Sequence, residues 1–141
     1  MESQANASAG TRKLLYLAPI TGIAAAILNT VLFLIGSSMG AVPPAVRIPD
    51  AYGQPLTLLP VLISSVMPAL VAGLVLFLLI RFTKKPLRIF NSIAAVILLL
   101  SFASPFTIPN ITTGMIVLLE LMHVVVAASV VYMFNRYVWT R

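Results

Sequence analysis

The chain has 141 residues, of which 60% are hydrophobic and only 9% charged, and its mean hydropathy is +1.07. So little polar surface cannot wrap a water-soluble globule, and lipid must be the solvent for most side chains. The net charge of +6 sits on cations at the ends of apolar runs, which argues against nucleic acid and for anionic lipid headgroups, while the lack of cysteine excludes disulfides, thiolate metal sites and thiol nucleophiles.

Residues 1–10 are small and polar, with neither apolar periodicity nor a capping pattern, and read with Arg12 and Lys13 as a disordered cytoplasmic tail over 1–13. The first apolar run, about 14–36, carries no charge and matches the roughly 20 residues that cross a hydrocarbon layer about 30 Å thick. A cleavable signal peptide is the rival reading, since a positive start precedes the run and Ser38-Met-Gly40 resembles a cleavage site. The run exceeds the roughly 7 to 15 residues of a signal core, which favours a retained span.

Residues 41–60 hold Pro43, Pro44, Pro49, Pro55 and Pro60, which remove backbone donors and predict a surface loop rather than helix. A second span follows over about 57–80, with Pro68 near its middle expected to kink it. Arg81-Phe-Thr-Lys-Lys-Pro-Leu-Arg88 is a short basic break between two apolar runs and reads as a tight turn at a membrane surface, with Arg81, Lys84, Lys85 and Arg88 at headgroup level. The third span, about 87–106, breaks at Ser104-Pro105, and the fourth covers about 112–134, the membrane domain as a whole running over 14–139 with a short tail at 140–141. Asn110-Ile-Thr112 matches a glycosylation triplet, but it abuts the membrane.

Arg12, Lys13, Arg81, Lys84, Lys85, Arg88, Arg136 and Arg141 fall on one side of this threading and only Arg47 on the other. The bias predicts an all-α, four-transmembrane-helix bundle of the cytoplasmic membrane with both termini inside. Small residues recur at four-residue spacing as Ala18, Gly22 and Ala26 in the first span and Ser65, Ala69 and Gly73 in the second, so each stripe lies on one helical face and lets backbones approach closely. Such stripes serve packing within one bundle or a homodimer face.

Glu120-Leu-Met-His123 is the sharpest feature. Residues three apart on a helix share a face, and an acid and an imidazole inside hydrocarbon are expensive enough to mark a functional candidate. Depth places Asn29, Ser64, Ser65 and Ser101 in the same outer half of their own spans, predicting a polar pocket in which Glu120 and His123 are hydrogen-bonded and share a proton. The competing reading makes Glu120 a register lock, protonated or paired with His123 and bonded to Asn29 or Ser101. Glu-x-x-His is half of a di-iron ligand set, but no other span offers an acid, so no metal and no cofactor is expected. Phosphate loops, nucleotide-binding glycine motifs and nucleophile elbows are lacking.

The segments Arg81-Phe-Thr-Lys-Lys-Pro-Leu-Arg-Ile-Phe90, Leu100-Ser-Phe-Ala-Ser-Pro-Phe-Thr-Ile-Pro-Asn110 and Leu121-Met-His123 resemble those of a family of small bacterial four-span membrane proteins, a domain of unknown function. The similarity runs from Leu14 to Tyr132. It implies a four-helix bacterial membrane protein and adds interest to His123, without bringing an activity, substrate or cofactor. The expected role is an accessory or interaction subunit without catalysis, working with a second copy or a partner membrane protein. The alternative is a proton-coupled carrier or channel element that uses Glu120 and His123.

Overall fold

Apolar runs of this length, placed in a medium that cannot satisfy backbone N–H and C=O groups, close those groups within helices. The computed structural model of the chain describes residues 2–48 and 53–138, and side chains from residue 11 onward. Its helices are α1 (Glu2–Ser38), α2 (Leu58–Phe82), α3 (Pro86–Ser101) and α4 (Thr113–Tyr137), with a single 3-10 turn at Pro105–Thr107 and no strand among the described residues. Four segments, Thr11–Ser38, Leu58–Phe82, Pro86–Thr107 and Thr113–Tyr137, are long and apolar enough to cross a membrane.

The expectation of a disordered tail over 1–13 is corrected, because helix starts at Glu2. Ala5, Ala7 and Ala9 carry the highest helix propensity, and once the span beyond them is helical the costly nucleation step is already made. Pro19 and Pro68 lie inside α1 and α2 without ending either helix. Met1 and the tail at 140–141 lie outside the described residues.

The third span has close to its expected bounds, as Pro86–Thr107, but its regular helix stops short of the far end. A proline ring at position 105 clashes with the carbonyl four residues back, that of Ser101, and supplies no N–H to it. Helix α3 ends at Ser101, whose carbonyl instead accepts from the Ser104 N–H at 3.0 Å, and the chain enters the 3-10 turn. Asn110, at φ 58°, then turns the backbone left-handed, a conformation that asparagine tolerates well, into α4. The hydroxyl of Thr112 caps that helix by accepting from the Met115 N–H at 3.3 Å. Thr112→Ala should therefore lower stability by about 1 kcal/mol, measured as a drop in the thermal midpoint in detergent. A midpoint equal to wild type would show that the cap contributes nothing.

Helix α1 packs along α2 and α4, and α3 packs on α2 and α4, so α1 and α3 sit diagonally. The two small-residue stripes face each other in antiparallel register. A Cβ added at Gly73 would meet the Ala18 Cβ at 2.6 Å, and one added at Gly22 would meet the Val66 Cα at 3.1 Å and the Ala69 Cβ at 3.3 Å. Ala26, Ser65 and Ala69 are buried. At the end that carries residue 11 and the 83–85 turn, Leu17, Leu76, Phe90, Val130 and Phe134 form the larger core, with the Phe90 and Phe134 rings 5.6 Å apart. At the opposite end, the loop end, Val61, Leu118 and Met122 form a smaller core on which Ala41, Val42 and Leu56 of the 39–57 connection pack. Phe90 is the single buried residue of α3, whose far half leaves Val96, Ile97, Leu99 and Leu100 exposed.

Candidate functional site

Between the two cores an asparagine crosses three helices. Asn29 of α1 donates through Nδ2 to the Ser65 hydroxyl of α2 at 2.9 Å and to the Met122 carbonyl of α4 at 3.3 Å. Ser65 passes its own proton to the Val61 carbonyl at 2.7 Å. Each donor is used, and in a non-aqueous interior these bonds fix the depth at which α1 meets its neighbours. The acceptor Oδ1 of Asn29 is buried and unbonded. Asn29→Leu should lower the thermal midpoint by the equivalent of about 1–2 kcal/mol, two hydrogen bonds set against the gain of apolar contact; an unchanged midpoint would mean that the crossing does not hold the helices.

The expected single pocket does not form. Ser64 and Ser101 turn back onto their own helices, bonding the carbonyls of Val61 at 3.2 Å and Leu98 at 2.7 Å. Glu120 and Asn29 lie at similar depth but address different sides of α4. At 3.6 residues per turn, Glu120 is rotated by about 200° from Met122, the residue whose carbonyl Asn29 reaches. Depth in a span is a one-dimensional coordinate, and rotation about the axis decides which groups meet.

The expected hydrogen bond between Glu120 and His123 is likewise corrected. The Nδ1–H of His123 donates to the Leu119 carbonyl, four residues back, at 2.7 Å. That bond spends the imidazole proton within its own helix. Both carboxyl oxygens of Glu120 are buried and have no hydrogen-bond partner. The side chain is only half-buried, so its methylene stem faces outward while the carboxyl group is tucked in. The bonds that a register lock would make to Asn29, Ser101 or His123 are not formed: neither Glu120 oxygen has a partner, and Ser101 and His123 bond carbonyls of their own helices.

Helix geometry indicates what covers the carboxyl. Glu120 precedes Phe134 and Asn135, two α4 residues that meet α3, by 14 and 15 positions, which places it between them in rotation. Its face is therefore the one α4 turns toward α3, about 21 Å nearer the loop end. Helix α3, counted from Phe90 to Ser101, rises only about 16 Å. The 102–112 turn, whose 3-10 segment packs on α4 and whose Pro105 is buried, continues along that side. The end of α3 at Ser101 thus leaves the acid beside irregular chain rather than beside a fourth helix.

Among the described residues, no group of three His, Asp or Glu side chains comes together to hold a metal ion. Two open grooves, one of about 420 Å³ between α1 and α2 around Ile27 and Val66 and one of about 220 Å³ around Ile63 and Met67, are lined by apolar side chains apart from Thr30, and Glu120 lines neither. One polar contact escaped the sequence reading. Asn91 of α3 and Asn135 of α4 exchange amide hydrogen bonds, Asn91 Nδ2 to Asn135 Oδ1 at 3.0 Å and Asn135 Nδ2 to Asn91 Oδ1 at 2.8 Å. The available signal was two amides near the same end of two neighbouring helices.

The family model described as Family of unknown function (DUF6069) matches residues 9–139, nearly the whole of the chain with all four apolar helices. The chain belongs to this family. The match begins within the first turns of α1 and extends past α4, so the family pattern takes in both the Asn29 crossing and the Glu120 face. No curated protein and no solved structure matches the chain. The four apolar helices of the structure give the chain the make-up of a membrane protein, and membership assigns no chemistry to any residue.

Proposed function

We propose that the protein is a multi-pass subunit of the cytoplasmic membrane that assists or docks onto another membrane component without catalysis of its own. In this reading both termini and the 83–85 turn face the cytosol, because the cations are concentrated at that end. The observation that carries the proposal is the carboxyl group of Glu120, buried at membrane depth with no partner in its own chain. A carboxyl group held in hydrocarbon without a hydrogen bond is costly, and a partner supplied from outside the chain would remove that cost. The exposed far half of α3 and the 102–112 turn form a thin cover that a docking helix can displace.

The test uses photoreactive residues at Val117 and Val124, exposed positions three before and four after Glu120 on the same helical face. Illumination in native membranes should give discrete protein adducts at both positions, and Glu120→Leu should remove them. Adducts to lipid alone, or protein adducts indifferent to Glu120→Leu, would contradict the proposal.

A second reading, a proton-coupled carrier or channel element, is favoured by the withdrawal of both carboxyl oxygens beneath the surface of the single chain, where a proton or a water reaches more readily than a partner side chain. In reconstituted vesicles, Glu120→Gln and His123→Ala should then abolish a pH-dependent flux. Flux at the wild-type level in both variants would remove this reading.

A further inference from the structure

Helix α3 is packed into the bundle near its start and draws away from it further on. Leu87 and Phe90 pack in the core near the 83–85 turn, and the reciprocal amide pair of Asn91 and Asn135 joins α3 to α4 beside them. Among the described residues, the core at the loop end is built from α1, α2, α4 and the 39–57 connection, with none from α3. Ile97 follows Phe90 by seven positions and lies about 20° from it in rotation, so the two share a face. Phe90 is 2% exposed and Ile97 is 59% exposed. The face that α3 buries at its start is therefore open two turns later. The far half also sends no side-chain hydrogen bond to another element among the described residues, since Ser101 bonds the Leu98 carbonyl of its own helix.

Beyond Ser101, one buried residue returns the chain to the bundle. Pro105 is fully buried within the 3-10 segment that packs on α4. Glu120, whose carboxyl group has no partner in its own chain, lies on the α4 face turned toward this part of the molecule. We propose that α3 and the 3-10 turn form a hinged arm, pivoted at Phe90 and Asn91 and latched by Pro105, whose swing opens the Glu120 carboxyl group to the bilayer. A rotation of about 15° at Phe90, acting over the roughly 16 Å to Ser101, moves the far end by about 4 Å. Displacement by a full contact distance forfeits the packing of the latch, while the amide pair keeps the pivot in place. The arm rests on the docking reading only in the use it gives to Glu120, which is shielded when the arm is closed and presented to a partner when it is open.

The motion is read without a partner and without a flux, so failure of the arm and failure of the docking reading are separable. The chain has no cysteine, and spin labels therefore attach only where cysteines are introduced. Ile20→Cys/Ser92→Cys reports across the bundle at the pinned end, and Ile27→Cys/Leu99→Cys reports seven residues further along both helices, all four positions being exposed. Double electron–electron resonance in reconstituted vesicles should give a distance distribution at least twice as wide for the second pair as for the first. Asn91→Leu should widen the first.

The latch is tested with dicyclohexylcarbodiimide, which enters lipid and adds to a carboxylic acid. The acid proton moves to one reagent nitrogen, the carboxyl oxygen bonds the central carbon, and acyl migration to nitrogen leaves a stable adduct with no group lost. Mass spectrometry of the Glu120 peptide reads the rate. Pro105→Gly, which empties the buried seat, should raise it at least fivefold, whereas Phe106→Gly, at an exposed neighbour, should leave it within twofold of wild type. Circular dichroism establishes that each variant remains helical before it is scored. Equal widths for the two label pairs, or a first pair indifferent to Asn91→Leu, would overturn the hinge. A Glu120 rate unchanged by Pro105→Gly, or raised as much by Phe106→Gly, would overturn the latch.

Discussion

Gly73→Ala should unfold much of the protein in mild detergent, with a loss of about 3 kcal/mol or more from a single added methyl group. The new Cβ would sit 2.6 Å from the Ala18 Cβ. Alanine has no rotamer with which to yield, so the two helix backbones must part. Separation of α1 from α2 also stretches the Asn29–Ser65 bond farther along the same interface. Gly36→Ala provides the contrast, since its Cβ would meet the Leu118 Cδ2 at 2.6 Å, the far end of a flexible side chain that can turn away. It should cost less than about 1.5 kcal/mol. The decisive arm is the double substitution Ala18→Gly/Gly73→Ala, which moves the methyl from one helix to the other and should restore most of the thermal midpoint. If it does not, close approach of these two backbones is not what holds α1 to α2.

Glu120→Leu should act in the opposite direction and raise the stability of the isolated chain, by about 1–3 kcal/mol. The carboxyl group has been removed from water without receiving a hydrogen bond, and a leucine of similar bulk escapes that cost. Stability gained where a function is lost is the expected mark of a residue kept for its chemistry. Thermal unfolding of Glu120→Leu beside wild type in one detergent reads it directly. A lower midpoint would make Glu120 a packing residue and would remove the main support for an assembly role. Placing the substitution beside Asn29→Leu sharpens the comparison, because that polar group is bonded to two helices and its loss should destabilise.

Much of this architecture could be read from residue order. Charge-free runs between cations locate α2 and α4 to within about three residues, because the length of a span is set by the hydrocarbon rather than by tertiary contacts. The small-residue stripes announced a close interface but left open whether it lay within one bundle or between two copies, and the approach of Gly73 to Ala18 places it between α1 and α2 of one chain. Helix α1 over 2–13 was missed because polar residues mask the propensity of Ala5, Ala7 and Ala9. The end of α3 was misjudged by reading Pro105 as the break itself, although a proline acts on the carbonyl four residues earlier.

The polar residues were harder to read, and for a different reason. Sequence gives depth along a span well, so Asn29, Ser65 and Glu120 were correctly placed at one level, but it does not give the rotation of one helix against another. Only contacts fix that rotation: Asn29 reaches Met122, and with Phe134 and Asn135 meeting α3, helix periodicity turns Glu120 to the α3 side. Intrahelical competition was a second loss. Ser64, Ser101 and His123 each found a carbonyl three or four residues back, which every helix offers whatever its neighbours. The Asn91–Asn135 pair escaped because both residues sit near cations, where amides are expected to face headgroups.

The claim on which the rest depends is that the Glu120 carboxyl group is unbonded within its own chain. Isotope-edited infrared spectroscopy of the purified protein, with Glu2 changed to glutamine so that Glu120 is the single labelled glutamate, observes the carboxyl stretch itself. We expect the band of a carboxyl group without hydrogen bonds, at a position unchanged by His123→Ala and by Asn29→Leu. A band of hydrogen-bonded character that moves when His123 is replaced would contradict the account.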